Sequence, residues 1–453
     1  MRLFALVGGA MLLTSLNFSL MFIAYGHIAI TFGTDLTIVS WALTGFSITV
    51  AALLVPAGWM ADRFGRERVF LGGIALFTAG SAIVAWSPWV HLLIGGRVVQ
   101  AMGLVLETCA SLPILLDAFP VARRATVVGG IGATGGAAAA MGPVIGGLLV
   151  ETIGWRATFA LNVPLGIALC FIVSARLPMT PPRRSSAPPD LFGVAALALG
   201  MGSLVLAITQ INSWGLISPP TIAAVVVAGL LLTIVVRRSR HHPDPVLYLP
   251  LFKDASYRRG VILNVLIAGT FAGTFFAFIR LLTKGWGLSA LDAGLAVAVV
   301  PLFGGPLSFV AGRLADRHGP RVVIVPGALL IAAAGLIFSL TVTKERDVVG
   351  LFLPIAVLYG IGVGLAHAAC NAAALRTVPS DRLGMGGAMS RMGMEVGGII
   401  SIAVAVALVS SAVHPIAGIR TVTMLVSIVC VIGALLALRL DAPTRARSIA
   451  RRS

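Results

Sequence analysis

The sequence predicts an all-α protein that crosses a membrane many times, and three observations predict it. Of the 453 residues, 58% are hydrophobic and only 11% charged, with a mean hydropathy of +1.01; a water-facing domain carries about 25% charge. Apolar runs of about 20 residues, enough to cross a ~30 Å hydrocarbon layer as helices, recur from end to end. Basic residues gather in alternate connections between the runs.

Reading the runs against Pro, Gly and Arg breakers predicts fourteen spans. The first six are Leu3–Tyr25, Ile38–Gly58, Val69–Trp86, Val90–Leu112, Val127–Val150 and Ala157–Ala175. Two more, Leu191–Gln210 and Pro219–Val236, follow a polar linker. The last six are Gly260–Leu282, Ser289–Ala311, Val322–Thr341, Gly350–Ala374, Leu383–Ser410 and Thr421–Leu438. The first run is too long for the core of a signal peptide and has only Arg2 in front of it, so it reads as a span.

The net charge of +17, from 33 Lys+Arg against 16 Asp+Glu, would suggest nucleic acid in a soluble chain. Placement argues otherwise, since no single basic patch with interleaved aromatics exists. With fourteen spans, 25 of the basic residues fall on one side and six on the other. By the positive-inside rule both termini are then cytoplasmic, and a bacterial inner membrane is the expected location. Cys109, Cys170, Cys370 and Cys430 lie inside apolar runs without metal or redox spacing, so neither a metal nor a disulfide framework is expected. No other cofactor is indicated.

A repeat organises the chain. Gly58, Ala61, Asp62, Arg63 and Gly65 after span 2 recur after span 10 as Gly312, Ala315, Asp316, Arg317 and Gly319, each offset by 254. Two six-helix halves, residues 1–178 and 259–438, are therefore expected. Residues 179–258 hold the linker, two inserted spans and a cytoplasmic loop, and 439–453 form a basic tail. Repeated halves usually place a substrate site near the midplane, reached alternately from each side.

The Gly58–Arg68 loop resembles the G-x-x-x-D-R-x-G-R-R signature of the major facilitator superfamily. So tight a turn needs Gly where φ is positive. Asp62 can face a helix N-terminus, and Arg66 can pair with Asp117 at the end of span 4. Arg97–Gly103 (R-V-V-Q-A-M-G) resembles the R-x-x-Q-G-x-G motif of that superfamily, with Ala101 in place of a glycine. Gly132–Gly147 resembles the G-x8-G-P-x-x-G-G motif of its antiporter branches: Gly142, Pro143, Gly146 and Gly147 keep the G-P-x-x-G-G spacing, and Gly132 stands for the first glycine, one residue further off. Small residues there let helices approach closely, and Gly142-Pro143 can bend the span. Gly154–Gly166, the L-F-K-D near Leu251 and Gly287–Gly294 look like the fourteen-span drug:proton antiporter branch. The resemblance covers nearly the whole chain. It implies a major facilitator fold and export of a small organic molecule against inward protons, with spans 1, 4, 9 and 12 lining the cavity and one chain acting as a monomer. That branch usually carries an Asp in span 1; here Asn17 stands at the matching position and cannot carry a proton.

Charges within a bilayer cost about 2.5–3.5 kcal/mol on insertion scales, which makes them functional candidates. Glu107, Glu395 and His367 are the candidates for the coupling proton. Asn17, Arg97, Gln100, His367 and Asn371 are those for the cavity. Arg391 and Glu395 are four apart and can pair on one helical face. Arg97 and Glu107 are ten apart, about 15 Å along the axis, so Glu107 is expected to lack a local partner and to carry the proton. Asp62, Arg63, Arg66 and Asp117, with Asp316 and Arg317 in the second copy, are expected to gate the cytoplasmic face. His241, His242 and Asp244 in H-H-P-D-P read as a Pro-rich solvated loop rather than a metal site. A metabolite symporter or uniporter is the second reading. A membrane-embedded enzyme or a non-transporting sensor is more remote, since no nucleophile, acid/base or metal cluster is visible and a sensor has no reason to keep two gate motifs.

Overall fold

The computed structural model describes residues 2–34, 36–120, 123–177, 190–215, 217–379, 382–411 and 415–440. The linker around Arg183 and Arg184 and the tail beyond residue 440 lie outside the described residues. Long helical rods follow one another through the rest. In chain order they are α1 (Arg2–Phe32), α2 (Leu36–Phe64), α3 (Arg66–Ala85), α4 (Val90–Ala118), α5 (Arg124–Thr152), α6 (Trp155–Arg176), α7 (Leu191–Trp214) and α8 (Pro219–His241). Then come α9 (Ala255–Gly285), α10 (Ala290–His318), α11 (Arg321–Thr341), α12 (Val348–Leu375), α13 (Leu383–Ser411) and α14 (Pro415–Ala437).

Twelve helices among the described residues are long and apolar enough to cross a membrane. The expected fourteen spans thus stand at twelve by these measures. The other two long helices are α1, with its shorter apolar stretch Leu3–Asn17, and α5, 29 residues rich in Gly and Ala.

Local chemistry sets where rods begin. Asp190 accepts from the Gly193 amide at the start of α7, Ser218 from Thr221 in α8, Asp254 from Tyr257 in α9 and Ser289 from Asp292 in α10. Each uses a short side-chain acceptor to satisfy one of the amides that a helix N-terminus leaves open. The α9 rod contains a π-helical turn at Asn264–Ala268, a widening often found at functional sites.

The motif expected as a loop is mostly helix. Gly58 to Phe64 continue α2, Arg66 already begins α3, and the whole reversal is carried by Gly65 at φ 101°. Gly319, at φ 92°, does the same between α10 and α11. Only glycine adopts these angles without strain. Gly58 serves another purpose, close packing: a Cβ there would lie 2.5 Å from both the Ala388 Cβ and the Gly384 carbonyl of α13.

Small residues also join the two repeat regions elsewhere. A Cβ on Gly312 of α10 would strike the Ala125 carbonyl of α5, and one on Gly129 the Ser308 carbonyl of α10. Further along, Gly136 of α5 faces Gly305 of α10, where a Cβ would lie 2.6 Å from its Cα. Gly132 faces Ser308 and Ala368. These approaches run from the ends of α5 and α10 that carry the charged turns to about the middle of both helices. The helix runs unbroken through residues 142–147, and Gly142 and Gly146 are buried.

Candidate functional site

At the end of α2, Asp62 accepts hydrogen bonds from the Gly384 and Met385 amides, at 3.0 and 2.7 Å. These are the first-turn amides of α13, so a carboxylate from one repeat region caps a helix of the other. Two open donors and the positive end of the helix dipole meet its charge. Arg66 contacts Asp62 at 3.2 Å and pairs with Asp117 at the end of α4. The expected Asp62–Arg66–Asp117 arrangement is present as geometry. The second copy reverses the direction: Asp316 at the end of α10 accepts from the Ala125 and Thr126 amides of α5, at 2.9 and 2.8 Å, and from the Thr126 hydroxyl. Arg317 makes no ion pair among the described residues.

The H-H-P-D-P segment corrects the expectation of a solvated loop. Asp244 is 2% exposed. It pairs with Arg63 at the end of α2 and lies 3.9 Å from Arg382, just before α13. Arg382 in turn sits over the Tyr248 ring, 4.6 Å from its centroid. Val246 and Leu247 are buried in a cluster that includes Trp59 of α2 with Met385, Ala388 and Met389 of α13. A carboxylate flanked by two arginines is inexpensive to bury, whereas an unpaired one is not. The segment after α8 therefore straddles the contact between α2 and α13 as a clasp.

Deeper in the bundle, Asn17, Arg97 and Gln100 are all fully buried. One Arg97 Nη donates to the Asn17 amide oxygen at 2.6 Å and to the Gln100 oxygen at 2.7 Å. Gln100 passes the chain on to Ser81 of α3 at 2.6 Å. The guanidinium lies 4.2 Å from the centroid of the Phe46 ring of α2, a cation–π arrangement that suits a desolvated cation. Arg97 has no carboxylate partner among the described residues and is packed inside its own repeat region in this conformation.

Glu107 is also fully buried, and its partners are hydroxyls; no ion pair of Glu107 is found among the described residues. Its carboxylate accepts from the hydroxyls of Ser111 at 3.0 Å, Thr108 at 3.2 Å and Thr14 of α1 at 3.3 Å. Hydroxyls solvate a charge, yet they leave it a net charge and can turn to accept from the protonated acid. Arg391 lies 3.7 Å from Glu395, both sides about one-third exposed. Of the Glu107 partners, Ser111 and Thr108 were visible as its neighbours in sequence; Thr14 was not.

In the second repeat region, neutral side chains link three helices beside the Arg391–Glu395 pair. Asn264 of α9 donates to Ser390 of α13 at 2.8 Å, and Ser390 donates to Asn371 of α12 at 3.1 Å. His367 stands edge-on to Phe271, ring centroids 5.7 Å apart, and its Nε2 has no hydrogen-bond partner among the described residues.

A family model for the Major Facilitator Superfamily matches residues 7–279 and 260–453. The chain belongs to the Major Facilitator Superfamily. It is similar to the tetracenomycin C resistance and export protein of Streptomyces glaucescens, 29% identical over 90% of this chain and 75% of that one. A multidrug resistance protein B homolog of Mycobacterium tuberculosis is 28% identical over 82% of this chain and 69% of its own length. The human organic anion transporter MFSD10 shares the fold at a TM-score of 0.69 and 16% identity, over 96% of this chain and 99% of that chain. This facilitator is thus a multi-pass membrane transporter with drug-efflux relatives, and not an enzyme.

Proposed function

We propose that this facilitator exports small amphipathic organic compounds in exchange for inward protons, by alternating access, as a monomer in a bacterial inner membrane. In this reading α1 and α5 are the remaining two spans, giving fourteen, with both termini and the charged turns cytoplasmic. The buried Glu107 carries the proposal. It is an acid on a helix at the contact between the two repeat regions, coated by hydroxyls that accommodate it with or without its proton. A carboxyl so placed changes surroundings when the regions separate, and a coupling group needs that difference between states. Asn17, which stands where a span 1 acid is usual, is a hydrogen-bond partner of Arg97 instead.

The turns supply the gate. Asp62 and Asp316 each cap a helix of the other repeat region, so the cytoplasmic ends stay together while both caps are made. The close glycine approaches that continue to mid-helix support reading this conformation as closed to the cytoplasm. The antiporter-motif stretch Gly132–Gly147 lies on α5, one of the helices along which the two regions slide.

Everted vesicles carrying the protein, given an acid interior, test the function. Uptake of at least one compound from a panel of cationic, neutral and anionic molecules is expected, together with proton release. Uptake only with the opposite gradient would replace exchange with symport. Labelling from outside intact cells of cysteines placed at Arg184 or His242 would overturn the topology.

A further inference from the structure

The hairpin of α7 and α8 carries chemistry that the export cycle does not use. Val225, Val226, Leu230 and Ile234 along α8 are exposed, as befits side chains facing lipid tails. The helix then ends in Arg237, Arg238, Arg240 and His241, at the level where an apolar helix meets lipid headgroups. Between this end and the start of α7 lies a cleft of about 520 Å³, lined by Phe192, Ile234, Arg237, Arg238, His241 and His242 among others.

The cleft is built rather than incidental. Arg238 donates through Nε to Asp190 Oδ1 at 2.5 Å, and Asp190 is fully buried beneath it as the cap of α7. The same guanidinium lies 5.4 Å from the centroid of the Phe192 ring. These contacts fix one cation in the wall. Arg237 is exposed and has no ion-pair partner among the described residues. The basic side chains outweigh the partial negative charge of the helix end.

We propose that this cleft holds the headgroup of an anionic phospholipid, its phosphate against Arg237 and Arg238 and its acyl chains along Phe192, Ile234 and the exposed face of α8. Basic clefts between membrane helices suit such headgroups. A free phosphate would meet the same cations and leave the apolar side of the cleft without a partner. The next residues in the chain are Pro243 and Asp244, so a lipid seated here abuts the clasp between α2 and α13. The site holds whichever direction the transporter runs.

The purified full-length protein, delipidated in detergent, is exposed in turn to phosphatidylglycerol, phosphatidylcholine and inorganic phosphate, and retained lipid is counted by native mass spectrometry. Phosphatidylglycerol is retained in preference to phosphatidylcholine, and millimolar phosphate does not displace it. The Arg237→Gln variant alters only an exposed side chain and keeps Arg238 on Asp190; its retention of phosphatidylglycerol falls about fivefold. Equal retention of the two lipids, an unchanged variant, or displacement by phosphate overturns the proposal.

Discussion

At the end of α2, Asp62 caps α13 and shares Arg66 with Asp117, while Asp244 pairs with the neighbouring Arg63. At the end of α10, Asp316 caps α5, but Pro320 occupies the place of Arg66, and a threonine hydroxyl is the additional partner. The same asymmetry continues inward. The first repeat region buries Arg97 and Glu107, whereas the second links α9, α12 and α13 through the neutral Asn264–Ser390–Asn371 chain. Two copies of one motif therefore keep the element that ties the regions together, a carboxylate on a helix N-terminus, and differ in everything electrostatic around it. On the proposed cycle, the first region carries the proton, while each region contributes one cap to the gate.

The largest effect should come from breaking this asymmetry at its centre. Glu107→Gln keeps the shape and most of the hydrogen bonds to Thr14, Thr108 and Ser111, and removes the exchangeable proton. Accumulation driven by a pH gradient should be lost, while downhill exchange of substrate persists. Glu395→Gln, at a partly exposed residue, should leave accumulation within about twofold, as befits a surface-type ion pair worth about 0–1 kcal/mol. Proteoliposomes with an imposed gradient measure both. Wild-type accumulation by the Glu107 variant would move the proton route elsewhere and leave the two regions equivalent.

How much of this was legible beforehand follows from the range of each interaction. Asp62, Arg66 and Asp117 could be read because the motif and the end of span 4 are visible locally. That Asp62 would face a helix N-terminus was also legible, but not that it would be α13, more than 300 residues away. Gly58 was assigned to a loop because glycines and charges there mimic a turn; its packing on Ala388 requires knowing the neighbour. Asp244 was misread for a related reason, since H-H-P-D-P has the composition of a solvated loop and only the distant Arg63 and Arg382 make its burial tolerable. Thr14 sits on α1 among apolar residues, where nothing in the pattern points towards Glu107. The spans followed from hydropathy; the polar contacts between them depended on how the helices rotate, which near-uniform apolar faces do not encode.

Comparing the two caps directly sharpens the contrast. Asp62→Asn retains one oxygen for the α13 amides and loses the charge that faces Arg66 and the helix dipole. With about 1–2 kcal/mol at stake from the charged cap and its pair, transport should fall about tenfold with insertion intact. Asp316→Asn loses only the charged part of its cap and should reduce transport about two- to threefold. Initial rates normalised to membrane protein measure the ratio. Equal losses at the two sites would mean that the caps alone matter and that Arg66, Asp117 and Asp244 are incidental.

The smallest effect is expected at the clasp, and it should appear in conformation before it appears in rate. Asp244 touches Arg63 on one side of the α2–α13 contact and approaches Arg382 on the other, so its charge favours the state in which those ends are together. Asn at this position is the same size and still hydrogen-bonds, which limits the loss to about 1 kcal/mol, or about a fivefold shift in the balance of open and closed cytoplasmic ends. Spin labels replacing the exposed Arg68 and Arg376 would report that shift as growth of the longer distance. Arg63→Gln should do the same, and the double variant should add little, since residues sharing one contact are not additive. Transport should change less than threefold, because a cycle needs both states and a modest bias slows only one of its two turns. An unchanged distance distribution would reduce the clasp to packing by Val246 and Leu247, and additive effects of the two variants would separate Asp244 from Arg63. Either result would leave the Asp62 and Asp316 caps as the whole difference between the two ends of the repeat.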